Sequence, residues 1–291
     1  MRLVTLDTPG GPTLGLVQHD RVLDVPDMGR WPTTMRGLAG AGPAALDAIR
    51  RWAEGTSGGR PLDRVRLGPP VPDPGKVVAI GLNYADHVAE TGAKMPVAPL
   101  VFAKFPSTIV GPGDDITWDR ALTDQVDYEA ELGVVIGRRA RNVSEAEALD
   151  HVFGYTCLDD VSARDLQFGD GQWVRGKSLD TFCPIGPWIV TADEIPDPQA
   201  LRIECLVNGE ALQSSTTANM VFGVRTLIAH CSRAFTLEPG DIIATGTPAG
   251  VGSSRSPKRF LKDGDEVVIR IEKIGDLRNV CRPTGVAQPV G

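Results

Sequence analysis

Short apolar runs alternate with turns rich in glycine and proline along most of the chain, a pattern that predicts many strands and few helices. Strands are predicted at residues 3–6, 14–17, 21–25, 77–80, 100–103, 128–136, 155–159, 201–207, 241–244 and 266–271. Apolar residues at helical spacing predict helices at 44–53, 145–152 and 223–234. Strands and helices do not alternate as in βαβ units, so a doubly wound sheet is disfavoured and a β-rich α+β fold is predicted.

A proline-rich segment at residues 68–75 divides the chain. Its prolines have no backbone N–H to donate to a β-ladder, which indicates a stiff linker. We therefore predict a small N-terminal α/β domain at residues 1–70, a larger domain at 71–282 and a C-terminal tail at 283–291.

Composition and charge narrow the classes of function. Of the 291 residues, 42% are hydrophobic and 23% charged, the usual balance of a globular protein. The formal net charge of −7 argues against a nucleic-acid or anionic-membrane partner, because both need a basic face. No apolar run is long enough to span a membrane, and residues 1–7 lack an apolar signal core, so we expect a cytoplasmic protein.

An acidic pair within an apolar strand is the first candidate for chemistry. In a strand, alternate residues share a face, so Glu129 and Glu131 lie side by side. The opposite face is apolar and is formed by Tyr128, Ala130, Leu132, Val134 and Ile136. The pair is typical either of a solvated edge strand or of a buried site with a cation between the carboxylates, and the apolar run favours burial.

A second acidic cluster ends a later strand, where Asp159, Asp160 and Asp165 accompany Arg164. Carboxylates without neighbouring histidine or cysteine favour a hard cation, which is Mg²⁺, Mn²⁺ or Ca²⁺. The residues alone are consistent with a metal site formed by Glu129, Glu131 and one of the two adjacent aspartates, Asp159 or Asp160.

Five blocks of sequence occur in the order seen in one enzyme family. They are 81–90 (GLNYADHVAE), 127–132 (DYEAEL), 160–167 (DVSARDLQ), 176–180 (GKSLD) and 245–252 (TGTPAGVG). Over roughly residues 70–282 the chain resembles the fumarylacetoacetate hydrolase family, and in particular its short members. The resemblance implies a mixed β-roll domain that holds one divalent cation, with Mg²⁺ or Mn²⁺ preferred to Ca²⁺.

The resemblance also implies roles for individual residues. Glu129, Glu131 and Asp160 match the family's metal ligands, while Asp159 has no counterpart among them and is interpreted as structural. Asn83 occupies the position of a fourth acidic ligand in the long hydrolase, so three carboxylates are expected to hold the metal here.

Catalytic and substrate-binding residues follow from the same match. The catalytic group is predicted to be His87, Glu90 and Lys177, and the substrate contacts are predicted to be Arg164, Gln167 and Thr247. His87 and Glu90 are three residues apart, so they share one side of a helical turn. Such a pair is usually an exposed helix face, but here the resemblance implies a lid whose histidine acts as general base with its carboxylate partner.

The implied activity is a metal-dependent hydrolase that cleaves a C–C bond in a small β-diketo acid through an enolate held on the metal. A decarboxylase or isomerase at the same site is the close alternative, and a non-catalytic metal-stabilised protein is the distant one. The resemblance also implies a homodimer. The basic run at residues 255–259 is interpreted as a solvated loop, and Trp173 is predicted to lie near the site because it precedes Lys177.

Overall fold

The computed structural model describes residues 1–29 and 31–285, and strands dominate these ranges. The strands are β1 Arg2–Leu6, β2 Thr13–Gln18, β3 Arg21–Asp24, β4 Arg60–Pro61, β5 Leu67–Gly68, β6 Val77–Gly81, β7 Leu100–Lys104, β8 Ile109–Val110, β9 Asp115–Ile116, β10 Val126–Asp127, β11 Ala130–Ile136, β12 Val152–Asp159, β13 Ser162–Ala163, β14 Cys183–Thr191, β15 Arg202–Val207, β16 Glu210–Thr216, β17 Ile242–Ala244, β18 Glu266–Ile271 and β19 Gly275–Cys281. The helices are α1 Met35–Gly40, α2 Pro43–Glu54, α3 Ala85–Thr91, α4 Arg164–Gly169, α5 Val174–Lys177 and α6 Val224–Ala234. The predicted α+β class is confirmed.

A twelve-stranded mixed sheet forms the centre, in the order β4-β3-β2-β1-β14-β12-β11-β17-β6-β7, with β5 beside β1 and β8 beside β14. Strand β11 lies between β12 and β17, and all seven of its residues are buried. Its run of Val134, Val135 and Ile136 suits this position, because β-branched residues pack well in a strand covered on both faces.

A second sheet of five strands, in the order β16-β15-β18-β19-β9, packs against the first. Leu132 and Val134 of β11 belong to the same buried cluster as Ile203 of β15 and Ile269 of β18. The predicted apolar face of β11 is therefore the face that meets the second sheet. The alternation of side chains along the strand directs its even-numbered residues to this core.

The N-terminal strands continue the central sheet, because β1 pairs with β14. Helix α2 begins with a proline at its first position and buries Ala45, Ile49 and Ala53 against the other side of that sheet. The proposed division at residue 70 stays a prediction. Of the predicted tail, residues 286–291 lie outside the described residues.

The predicted strands are found within a few residues of their expected bounds, as are α2 and α6. The prediction of a helix at 145–152 is wrong. That segment forms only a 3₁₀ turn, Ala148–His151, after which the chain extends into β12. Only Val152 of this segment joins the sheet, opposite Ile136, and a helix this short is marginal without tertiary packing. Within the described ranges, no helix is long and apolar enough to cross a membrane.

The burial of β11 in the central sheet, with its even-numbered residues against the second sheet, predicts a large effect of core truncation. Leu132 is fully buried, so Leu132→Ala should lower the free energy of unfolding by about 2–5 kcal/mol. Urea denaturation measures this change. Val97, which is 95% exposed, supplies the control, and Val97→Ala should stay within about 0.5 kcal/mol of the wild type. Equal stability of the two variants would contradict this packing.

Candidate metal centre and active-site cavity

Three buried carboxylates meet where β11 begins and β12 ends. The antiparallel register places Ala130 opposite Asp159, and the backbone N–H of Asp160 donates to the carbonyl of Glu129 at 3.0 Å. This pairing brings one carboxylate oxygen from each of Glu129, Glu131 and Asp160 within 4.8 Å of the others. Residues about thirty positions apart in sequence therefore form one acidic cluster.

The cluster concentrates negative charge away from solvent. Burial raises the pKa of Glu131 well above its ordinary value, and the charges of Asp160 and Glu129 raise it further. Burial acts in the same direction on Glu129, but neighbouring Lys177 and Arg164 outweigh it and lower the pKa of this carboxyl to about 2. Three oxygen donors with incompletely balanced charge suit a hard divalent cation.

Two buried lysines balance part of this charge. The ammonium of Lys177, at the end of α5, lies 2.8 Å from Glu129 Oε2 and 2.7 Å from Asp160 Oδ2. Lys104, at the end of β7, donates to Asp160 Oδ1 at 2.6 Å and to the carbonyls of Val161 and Lys177. Sequence reasoning missed Lys104. The only signal was a lysine ending an otherwise apolar strand.

Asp159 and Asn83 are held by the backbone and not by the cluster. Asp159 Oδ1 accepts from the N–H of Glu129 at 2.9 Å, and burial raises the pKa of Asp159 to about 8. Asn83 donates to the carbonyls of Phe222 and Thr245, and its oxygen accepts from the N–H of Phe222. Both residues therefore stabilise the local backbone, and Glu129, Glu131 and Asp160 remain the candidate metal ligands.

A glycine positions the second glutamate. The N–H of Gly246 donates to Glu131 Oε2 at 2.8 Å, and Gly246 has φ of +95°. A Cβ at this position would lie 2.7 Å from Cβ of Asn83. Only glycine combines this backbone conformation with such a close approach.

His87 and Glu90 lie on α3, as the helical turn predicts. His87 Nδ1 is 3.2 Å from Glu90 Oε2, and Glu90 Oε1 accepts from the N–H of Gly250 at 2.9 Å. Glu90 thus connects the helix to the glycine-rich turn at 245–252. His87 is 8% exposed and lines the same cavity as Glu129.

The predicted substrate contacts are also brought to this cavity. Arg164 donates from Nε to Asp127 Oδ2 and from Nη1 to Glu129 and Gln167, while Nη2 is buried with no partner in the described structure. Thr247 Oγ1 accepts from Gln213 Nε2 at 2.8 Å. Sequence reasoning missed Gln213. Its side-chain oxygen Oε1 accepts from the N–H of Ala130 in β11.

The cavity has a volume of about 500 Å³ and contains every predicted catalytic and substrate-contacting residue. Its lining includes His87, Glu90, Phe102, Glu129, Arg164, Gln167, Trp173, Lys177, Thr247, Ser253, Ser254 and Lys258. Trp173 packs edge-on against Phe102 with ring centroids 5.3 Å apart, so it lies near the site as expected.

The interpretation of residues 255–259 as a solvated loop holds for Ser256, Pro257 and Lys258, which are exposed, but not for Arg255. Arg255 is half-buried and donates to the hydroxyl of Tyr128 and to the carbonyls of Gly250 and Leu212. Lys258 lines the cavity. The turn of the chain at Gly252 and Ser253, whose N–H groups donate to Asp127, directs this loop onto the site.

Comparisons with known proteins agree with this geometry. Residues 76–282 match the family described as fumarylacetoacetate (FAA) hydrolase C-terminal. The chain is 45% identical over 289 residues to a Bos taurus protein named oxaloacetate tautomerase FAHD2A, mitochondrial, covering 96% of this chain and 91% of the relative.

Solved structures give the same result. A putative HpcE protein from Mycobacterium smegmatis superposes with a TM-score of 0.86 at 40% identity, covering 98% of this chain and 100% of the other. A maleylpyruvate hydrolase from Sphingobium sp. SYK-6, in complex with manganese(II) ion and pyruvate, superposes at 0.81 with 35% identity, covering 97% and 99%. The chain therefore belongs to the fumarylacetoacetate hydrolase family and is an enzyme of that family.

Proposed function

We propose that this enzyme interconverts the keto and enol forms of oxaloacetate, with a divalent cation held by Glu129, Glu131 and Asp160. The observation that carries the proposal is that His87 and Glu129 line one cavity, so a base and the carboxylate cluster act on the same small molecule. The bovine relative named oxaloacetate tautomerase supports this choice of substrate.

Bound at the carboxylate cluster, a cation of the Mg²⁺ or Mn²⁺ kind polarises the carboxylate and 2-oxo oxygens of a substrate and stabilises negative charge there. The 2-oxo group then makes the protons on C3 more acidic. Removing one C3 proton moves its electron pair into a C2–C3 double bond, and a proton added to the 2-oxygen completes the enol.

His87 would accept the proton that is removed from C3. With Nδ1–H donated to Glu90, its Nε2 is left as the acceptor, a tautomer assigned from the hydrogen bond. Glu90 stabilises the imidazolium that forms when Nε2 takes the proton. The contact of Glu90 with Gly250 fixes the carboxylate, and so fixes the ring that it orients.

The remaining polar residues would orient the substrate. Two nitrogens of Arg164, Nε and Nη1, contact Asp127 and Glu129. The buried Nη2 is therefore left to donate to a substrate oxygen. Lys177 keeps a positive charge because Asp160 and Glu129 outweigh burial and raise its pKa. It therefore offsets charge that develops on the substrate.

Hydrolysis of a β-diketo acid, the reaction expected from the sequence, is the second candidate. The same histidine and glutamate would deprotonate water for attack on a carbonyl, and a maleylpyruvate hydrolase is among the similar structures. Decarboxylation and isomerisation need the same stabilised enolate. The cytoplasmic location stays a prediction, and the bovine relative is named mitochondrial.

Removal of the cation should abolish tautomerisation while leaving the fold intact, because the ligands lie in or next to β11 and β12, whose extensive apolar core does not depend on the metal. Circular dichroism and enol absorbance before and after chelation measure both effects. Glu131→Gln should weaken Mn²⁺ binding by at least about tenfold, since a neutral amide is a poorer ligand for a hard cation. Glu54→Gln, an exposed change, is the control. Full activity in excess chelator would refute the metal assignment.

Loss of the base should affect turnover and not metal binding. We expect His87→Ala to slow oxaloacetate tautomerisation by about 10²-fold or more, with Mn²⁺ affinity unchanged because His87 is not among the three ligands. His230→Ala on α6 provides a matched histidine control. If His87→Ala retains tautomerisation but loses acylpyruvate hydrolysis, the hydrolase is the better description of the enzyme.

The homodimer implied by the family resemblance remains part of the proposal. Light scattering after size exclusion should give twice the chain mass of 31.0 kDa. A mass equal to that of one chain would rule the dimer out.

A further inference from the structure

The basic loop at 255–259 places its three cations in different environments. Arg255 folds onto the protein, and Arg259 pairs with Glu210 at 2.6 Å. Lys258 lies between them at the edge of the active-site cavity and forms no ion pair within the described ranges. The loop thus contributes one positive charge to the cavity, that of Lys258, which is not neutralised by an ion pair with another described residue.

Two free hydroxyl groups accompany that charge. Ser253 and Ser254 line the same cavity, and their backbone N–H groups donate to Asp127 and to the carbonyl of Val251. Neither hydroxyl has a hydrogen-bond partner in the part of the chain that the structure describes. An ammonium and two hydroxyl donors together suit a carboxylate.

This charge differs from the other cavity cations. Arg164 and Lys177 are buried and are paired with the carboxylate cluster. Lys258 is exposed, and it also borders a second cleft that contains Asp124 and Asp263, with neither of which it forms an ion pair. A group bound by Lys258 therefore belongs to the part of a ligand that faces away from the cluster.

We propose that Lys258, with Ser253 and Ser254, binds a second carboxylate at the far end of the substrate and so selects dicarboxylic 2-oxo acids over monocarboxylic ones. The inference rests on the proposed function, because the first carboxylate and the 2-oxo group must face the metal cluster. An ion pair between Lys258 and this second carboxylate is exposed to solvent, so its contribution to binding is modest and sensitive to salt.

Two 2-oxo acids of equal chain length test this selection. 2-Oxopentanoate and 2-oxoglutarate share the 2-oxo acid end and differ only in a terminal methyl or carboxylate group. Calorimetric titration of the Mn²⁺-loaded protein at low salt should show 2-oxoglutarate binding about fivefold more tightly. In Lys258→Met this preference should disappear, while the affinity for 2-oxopentanoate is kept.

Lys262→Met is the matched control, because Lys262 follows on the same loop and does not line the active-site cavity. It should keep the preference, and 0.5 M salt should reduce the preference in the wild type. A wild-type protein without the preference, or a Lys258→Met protein that keeps it, would overturn the subsite. Because binding is measured without turnover, absence of Mn²⁺-dependent oxaloacetate tautomerisation would separately overturn the proposed function.

Discussion

Three carboxylates enclosed within 4.8 Å of one another impose the constraint on which the surrounding structure depends. Buried negative charges are costly unless cations or hydrogen-bond donors lie beside them. Here the compensation comes from Lys104 on β7, Lys177 on α5 and Arg164 on α4. The ends of several separate elements are therefore held together at this one cluster.

The same network connects the cluster to the walls of the cavity. Asp127 accepts from Arg164 and from the N–H groups of Gly252 and Ser253, so one carboxylate orients both an arginine beside Glu129 and the loop that leads to Lys258. The preceding part of the same segment is bonded to α3, because Glu90 accepts from the N–H of Gly250. Substrate would thus be enclosed by segments that are hydrogen-bonded to each other before it binds, which limits the reorganisation needed for proton transfer.

The chemistry of the site fits a family whose members are named for different reactions. A cation held by the carboxylate cluster would stabilise an enolate in each of the reactions proposed above, whether the next event is proton return, attack by water or loss of carbon dioxide. We propose that the placement of His87 and the charge at the far end of the cavity, where Lys258 lies, distinguish these reactions. That far end is formed by a loop outside the matched catalytic blocks.

The sequence by itself determined the strand pattern and the position of the acidic pair. The alternation in β11 was enough to assign its apolar face. Asn208 and Gly209, both at positive φ, form the turn between β15 and β16, as an Asn-Gly pair favours. These features depend on neighbours along the chain, where side-chain periodicity and turn preferences act directly. The helix expected at 145–152 does not form, because periodicity over so short a segment is a weak signal and its last residue, Val152, pairs with Ile136 in the sheet.

Only the tertiary structure decided which partners complete the site. From the residues alone, Asp159 and Asp160 were equivalent candidates, and the pairing of β12 with β11 turns one to the backbone of Glu129 and the other to the cluster. Lys104 and Gln213 reach the site across 56 and 83 positions of sequence respectively. The only local signal is that Lys104 ends an apolar strand, and Gln213 has none. Their roles arise because the buried charges and backbone groups that they satisfy come together only when the sheets are assembled.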